Sequence, residues 1–331
     1  DFTEILDNIG YKNKEEMFLN FYDVVNNLLE NKYVIPKGIY GDTDSIFYCL
    51  HIKDKKTNEV IKDKSALIIS IKFGIWSSIL ISTMLPAPMA QEYEKVLYPF
   101  IILTKKRYVG NLYEKNPNKF YQKSMGIVLK RRDNANIVKI VCGNIIDQIL
   151  NKLSTIGAVD KTKELLKKII TGNIPLDKFI ITKTLKTTYK DRTKIVHAVL
   201  ADRMGVRDPG NKPQVNERIP FIYFDTSKLK VDRKLLQGEK IETPDFIRAN
   251  KLLPDYETYI NNQIKKPVTQ IFALCLDQIP NFRGDMTEYD KMFKALLDSG
   301  VERNTAIKKT LEAKRKVAEQ LLFGDILRVL E

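Results

Sequence analysis

The stretch KGIYGDTDSIFYC, residues 37–49, sets two aspartates one residue apart between two apolar, β-prone runs. KYVIPKGIY and SIFYCLHI read as strands on either side, which puts the aspartates at the tip of a hairpin. With strand alternation carried through the tip, Asp42 and Asp44 share a face and Thr43 points away. Two carboxylates on one face repel, and one keeps its proton unless a cation lies between them. Mg²⁺ takes one or two carboxylates and fills its remaining positions with water and phosphate oxygens. Two such ions about 4 Å apart are the usual device for in-line phosphoryl displacement. An Asp-rich turn that caps its own backbone is the plain alternative, and a sugar-nucleotide transferase is the other metal-using one.

Around the hairpin the chain alternates element types. KEEMFLNFYDVVNNLLE, residues 14–30, carries Phe18, Phe21, Tyr22, Val25 and Leu29 at helical spacing. Residues 64–84 predict a second helix, stopped near Pro86. The stretch ALIISIKFGIWSSILISTML has the length of a membrane span. Lys72 and four serines interrupt it, however, and Ile68, Ile71, Ile75 and Ile79 recur at helical spacing, so a packed helix and no membrane partner are expected. YPFIILTKKRYVGNLY and SMGIVLKRRDNANIVK read as further strands. Beyond them VDKTKELLKKIITG predicts an amphipathic helix with Gly172 as its C-terminal stop. GVRDPGNKPQVNERIPF must contain loops, and residues 244–276 and 285–330 are largely helical by pattern.

The 331 residues suffice for more than one domain. Fifty-five basic against 41 acidic side chains give a net charge of +14, which favours a polyanionic partner. Cys49, Cys142 and Cys275 lie far apart and only His51 and His197 are present, which excludes a Cys-rich structural zinc site and a disulfide framework. An intracellular, reducing setting follows from that cysteine usage. The chain begins DFTEILDNIG, without a visible signal peptide or initiator Met, so a fragment or processed chain is expected.

Much of the positive charge is concentrated. Between Thr104 and Lys139 ten lysines and arginines stand against Glu114 and Asp133, interleaved with Tyr108, Tyr113 and Tyr121. A charge run is ordinarily a solvated face, but with interleaved tyrosines it suits a phosphate-and-sugar surface. Alternation puts Lys106 and Tyr108 on one face of a strand and Lys105 and Arg107 on the other.

Five stretches in series resemble the family B DNA polymerases. YGDTDS between apolar strands resembles the third polymerase motif of that family. YEKVLYPFIILTKKRYVG resembles the element that grips the primer-template duplex, and GIVLKRRDN the end of the palm. FIITKTL and ADRMGVRDPGNKPQVNERIPF resemble the thumb, continuing through YINNQIKKPVTQIF. The resemblance runs from about residue 34 to about 275 and is nearest to the delta-type enzymes of large eukaryotic DNA viruses.

The resemblance implies an α+β chain. An antiparallel palm sheet with flanking helices, the second half of the palm, would occupy residues 1–128, and a mostly helical thumb residues 129–331. Asp44 would be a ligand of both of two Mg²⁺ ions and Asp42 an auxiliary carboxylate, with Tyr40 and Ser45 orienting the hairpin. Lys106 and Tyr108 would meet the primer end and the duplex minor groove, whose acceptors are nearly independent of sequence. Lys105 and Arg107 would meet phosphates or palm carboxylates. Lys130, Arg131 and Arg132 would meet DNA, with Arg131 and Arg132 equally placed to be internal partners of Asp133. The partners implied are primer-template DNA and dNTPs, at the site of viral DNA replication if the chain is viral.

The sequence also departs from the family. Neither the D-x-x-S-L-Y-P stretch with the other metal-ligand Asp nor the K-x-x-x-N-S-x-Y-G fingers helix occurs in these 331 residues, and they are expected to contain no exonuclease either. Catalysis is therefore expected only with a missing N-terminal polymerase part that carries the exonuclease, the fingers and the first half of the palm. The alternative is a non-catalytic DNA-binding fragment, or a subunit of a split polymerase. Apolar surfaces should be exposed where the missing parts belong. Asn216 and Glu217 replace a common Gly-Asp, which leaves the local turn open. EQLLFGDIL, residues 319–327, is faintly like a sliding-clamp ligand but reads better as thumb core.

Overall fold

The computed structural model describes residues 16, 19, 23, 26, 27, 29–130, 133–227, 229, 233 and 235–330. The chain is α+β and divides into two compact units, residues 1–125 and 126–331.

The first unit is built on small antiparallel sheets. Strands β1 (Lys32–Tyr33) and β4 (Lys53–Asp54) pair outside the hairpin formed by β2 (Lys37–Asp42) and β3 (Ser45–Cys49). A three-stranded meander follows, of β5 (Val96–Thr104), β6 (Arg107–Tyr113) and β7 (Tyr121–Met125), with β6 in the centre. Of the helix expected at 14–30, Glu16, Leu19, Asp23, Asn26, Asn27 and Leu29 are helical, whereas Phe18, Phe21, Tyr22 and Val25 lie outside the described residues.

Helix α1 (Lys64–Met84) starts where Asp63 accepts the amides of Ser65 and Ala66, and its Leu67, Ile69 and Ile71 are buried. Of the expected stripe of four isoleucines only Ile71 is buried. The buried face runs instead through Leu67, Ile71, Gly74 and Ser78. The reason is steric: a Cβ on Gly74 would come within 2.7 Å of the Tyr93 ring, so the small residues mark the side of close approach. Ser70, Ser77, Ser78 and Ser82 return their hydroxyls to carbonyls three or four residues back, so the helix itself satisfies them. By length and composition alone α1 could also cross a membrane.

The second unit is mostly helical. Helices α2 (Asn136–Leu150) and α3 (Thr155–Ile170) pack as a pair, and α3 stops as expected. Gly172 takes φ +71°, its amide bonds to Ile169 O, and the Asn173 amide reaches back to Lys168 O, closing the last turn. A sheet of β8 (Ile181–Thr184), β9 (Arg218–Tyr223) and β10 (Ile241–Glu242) has β9 in the centre, with α4 (Val196–Arg207) packed against it. After α5 (Pro244–Ala249), one irregular helix runs through α6 (Tyr256–Tyr259), a π-helical turn (Ile260–Ile264) and α7 (Lys265–Phe272). Helices α8 (Met286–Asp298) and α9 (Arg303–Leu330) complete the unit.

Tyr259 is fully buried in this unit, and its hydroxyl serves two backbone groups. It donates to Phe179 O at 2.6 Å and accepts the Tyr223 amide at 3.1 Å. Glu242, also buried, is held by two arginines of α4: Arg207 in a bidentate pair at 2.6 and 3.0 Å, and Arg203 at 3.0 Å. Leu322 and Phe323 of the EQLLFGDIL stretch are buried, as thumb core would be.

One strand expectation, SMGIVLKRRDNANIVK, is corrected: the strand there is Tyr121–Met125, Val128–Lys130 is a 3-10 turn, and α2 begins at Asn136. The polar YQKSM run pairs because β6 offers it an open edge, whereas the apolar Ile127 is buried outside any strand. The Gly-Asp replacement, in contrast, resolves. Asn216 takes φ +69°, a conformation that Asn tolerates, and the Glu217 carboxylate accepts the Gln214 amide at 2.8 Å.

Candidate active site

The aspartate hairpin is tighter than alternation allows. Asp42 is the last residue of β2 and pairs with Ser45, so Thr43 and Asp44 are the two residues of the turn. Thr43 takes φ +57°, and Ser45 Oγ donates to Asp42 O at 3.1 Å. Alternation therefore does not set the directions of the two carboxylates; the turn does.

Their surroundings differ. Asp42 accepts from Tyr40 Oη at 3.1 Å and from Thr43 Oγ1 at 3.3 Å, and pairs with Lys106 Nζ at 3.0 Å. The Lys106 ammonium, and after it the Tyr40 hydroxyl, hold the Asp42 carboxyl below the usual carboxylate range. The same pair raises Lys106. The cation that relieves Asp42 is thus Lys106. Asp44 is exposed and makes no hydrogen bond or ion pair among the described residues.

Lys105 and Lys106 do not lie in a strand. β5 ends at Thr104 and β6 begins at Arg107, and the two lysines form the turn between them. Lys106 takes φ +58°, and its amide donates to Tyr40 Oη at 2.9 Å. One hydroxyl therefore joins both hairpin tips, accepting from the backbone of Lys106 and donating to Asp42. Alternation across residues 105–108 is corrected accordingly, and it is Lys106 rather than Lys105 that meets the aspartate. Tyr108 is only 8% exposed. Its ring packs on Phe47 and Phe100 at centroid distances of 5.6 and 5.7 Å, and Tyr40 adjoins Phe47 at 5.4 Å. This aromatic cluster fixes the aspartate hairpin against the meander. Burial pushes the Tyr108 hydroxyl up, with Tyr40 and Asp42 adding to it.

Arg107 is half-buried at the start of β6. Lys130 closes the 3-10 turn Val128–Lys130, while Arg131 and Arg132 lie outside the described residues. Asp133 pairs with Lys183 at 3.3 Å. On the outer face of the hairpin Ile39, Ile46 and Tyr48 are exposed, and the Tyr48 hydroxyl bonds to Ser77 Oγ at 3.0 Å. The role of Tyr40 as a clasp has no local signal beyond its place two residues before Asp42.

Two carboxylates at an exposed tip, one of them unengaged, are the kind of donor that a hard divalent cation takes. Among the described residues no group of three or more His, Cys, Asp or Glu gathers to hold a metal.

The comparisons give the family. The model of DNA polymerase family B matches residues 5–275, and the chain belongs to that family. It is 49% identical over 291 residues to a DNA polymerase of Pyramimonas orientalis virus, covering 87% of this chain and 24% of that relative. To a DNA polymerase of Acanthamoeba polyphaga mimivirus it is 51% identical over 244 residues, covering 73% of this chain and 14% of that relative. The DNA polymerase delta catalytic subunit of Mesocricetus auratus is 28% identical over 260 residues, 76% of this chain and 22% of that subunit. The chain thus spans a quarter or less of the length of these three relatives.

Proposed function

We propose that the chain supplies the second half of the palm, in its first unit, and the thumb, in its second, of a DNA-directed DNA polymerase. That polymerase transfers nucleotides from dNTPs to a primer 3′-OH. The observation that carries the reading is the Tyr40 clasp, which brings the GDTD tip and the Lys105–Lys106 turn to one place in a chain of this family. Asp44, exposed and unengaged, would hold both of two Mg²⁺ ions, with Asp42 auxiliary. The ions would supply charge neutralisation at the reacting phosphate. Lys106 and Lys105 would meet the duplex, and Tyr108 would act chiefly by packing the turn in place.

Two carboxylates are too few to fix two ions, and positioning is most of what phosphoryl transfer needs. The chain by itself is therefore expected to bind primer-template without extending it. The test is primer extension by the full-length polymerase bearing Asp44→Asn, with Asp42→Asn beside it. Asp44→Asn should nearly abolish incorporation and Asp42→Asn should be milder. The isolated chain with Asp44→Asn should be as stable as the parent near neutral pH. Normal extension by Asp44→Asn refutes the metal-site assignment.

A further inference from the structure

One loop of the second unit hangs on a single hydroxyl. It joins β8 to α4, and both of its ends are fixed. Leu185 is buried, its amide donates to Glu217 O and its carbonyl accepts the Asn216 amide. At the other end Arg192 forms a bidentate pair with Asp202, both bonds at 2.8 Å. Between them Lys186, Thr187, Thr188 and Lys190 are exposed. Every hydrogen bond that residues 186–190 make among the described residues passes through the Tyr189 hydroxyl. That oxygen accepts the Lys186 amide at 2.7 Å and lies 3.1 Å from His197 Nε2, in the first turn of α4. The Thr184 carbonyl is its third neighbour, at 3.5 Å.

The phenol has one proton to give. The Lys186 amide can only donate, so that proton goes to Nε2 or to the Thr184 carbonyl, and Nε2 is the nearer. The closed arrangement therefore needs an unprotonated Nε2. An imidazolium carries a proton on both nitrogens. Nε2 would then donate to an oxygen that already accepts the Lys186 amide, and the phenol proton would be left with a carbonyl at the limit of hydrogen-bonding distance.

Charge acts in the same direction. Lys183 on β8, Lys186 in the loop and Arg192 before α4 all bear on the ring, and Arg218 of β9 lines the same cleft. The carboxylates around it are committed elsewhere: Asp133 to Lys183, Asp202 to Arg192 and Asp191 to Lys194. Glu239 and Glu242, on the segment packed against α4, are held by Arg233 and by Arg203 and Arg207. Burial first, and then the cations, hold the imidazole below its ordinary range against a backbone hydrogen bond with Thr184. We propose that Tyr189 and His197 form a pH-operated latch on this loop, closed while the imidazole is neutral and opened when it takes up a proton. The latch holds residues 186–190 against the start of α4 at neutral pH and frees them in acid, while Leu185 and Arg192 keep the loop's ends in place.

The chain has only two histidines, His51 and His197, so ring-proton NMR follows each by its own signal. The full chain, without DNA, is taken from about pH 8 to about pH 5, across the ordinary range of an imidazole. Exchange of the Lys186 amide is measured alongside, against its intrinsic rate at each pH. Protection there should hold while His197 is neutral and fall about tenfold as His197 titrates, the loss of one hydrogen bond. Below that midpoint the Lys186 amide should exchange at least about a hundredfold faster than the amides of α2, as local opening requires. In His197→Gln, which cannot titrate, the fall should vanish. In Tyr189→Phe the His197 midpoint should rise by about one pH unit, because the neutral ring loses its donor. Constant protection at Lys186 through the His197 midpoint overturns the latch, and so does an equal fall in His197→Gln. Exchange of Lys186 and α2 at one rate in acid overturns it too, since the whole unit and not the loop would then be opening. Should His197→Gln fail to fold, Tyr189→Phe decides, and a His197 midpoint unmoved in that variant overturns the proposal.

Discussion

The pairing of Lys106 with Asp42 makes a quantitative claim about DNA binding. In the free chain the Lys106 ammonium is 3.0 Å from a carboxylate that is held ionised by it, so in the absence of divalent metal this lysine is not fully available to a phosphate. An available lysine that neutralises one phosphate contributes about 0.9 to the slope of log affinity against log salt, which is about eightfold in affinity between 1 M and 0.1 M. Lys106→Met should therefore cost about eightfold at 0.1 M salt in an Asp42→Asn background, where the lysine is released, and the slope should fall by about 0.9. In the parental background the same change should cost clearly less, since part of what Lys106 gives the duplex is taken from Asp42. Asp42→Asn alone should tighten binding. Fluorescence anisotropy with a labelled primed duplex in EDTA, over a range of salt, measures all four proteins. An equal cost of Lys106→Met in both backgrounds would refute the coupling and reduce the observed pair to a surface contact of no consequence.

Two further outcomes concern the second unit. Tyr259→Phe removes a buried hydroxyl with two partners and leaves the Phe179 carbonyl and the Tyr223 amide without one, a loss of about 2–4 kcal/mol. Hydrogen exchange should show it as lost protection at the Tyr223 amide, and unchanged protection there would sink the estimate. His197 has a folded pKa below its ordinary 6.5, so as pH falls the unfolded chain takes up its proton first. Stability should therefore decline as pH drops through about 6.5 towards the lower folded value, and His197→Gln should flatten that part of a urea-midpoint profile.

What was legible in the sequence was whatever local chemistry decides. The 37–49 hairpin announced itself because apolar runs flank a polar break, and the stop of α3 because Gly172 accepts positive φ at no cost. The Lys105–Lys106 turn was hidden because neither residue is a turn former. Lys106 holds φ +58° while its amide is bonded by Tyr40, 66 residues away, and the strand propensity on both sides suggested one unbroken run. The exact register at Asp42 was lost for the same reason: a two-residue turn at Thr43–Asp44 has no glycine to mark it. Glu242 carried no warning of burial either. Its only signal was a pair of arginines, 203 and 207, one helical turn apart on a different element. Asp133, Lys183, His197 and Arg218 line one cleft only through chain return, since they come from three separate stretches of sequence.

The inequality of the two aspartates follows from where the hairpin turns. Asp42, still in the strand, lies within reach of Tyr40 two residues before it and of the neighbouring turn, so the fold itself satisfies its charge. Asp44, in the turn, is beyond both, and exposure to water makes an unpartnered carboxylate there inexpensive to the fold. A ligand reserved for a substrate-bound ion should have this property: exposed, and engaged with nothing that must first be displaced. An auxiliary group can be partly committed to the protein, because its work is to orient. On the proposed reading the turn therefore sorts the roles before any ion arrives. Inserting a glycine between Asp42 and Thr43 should leave the Tyr40–Asp42 contact in place while carrying Asp44 away from it. In the full-length polymerase that insertion should cost nearly as much incorporation as Asp44→Asn, although both carboxylates remain. Parental activity in the insertion variant would show that the position of Asp44 is not what matters.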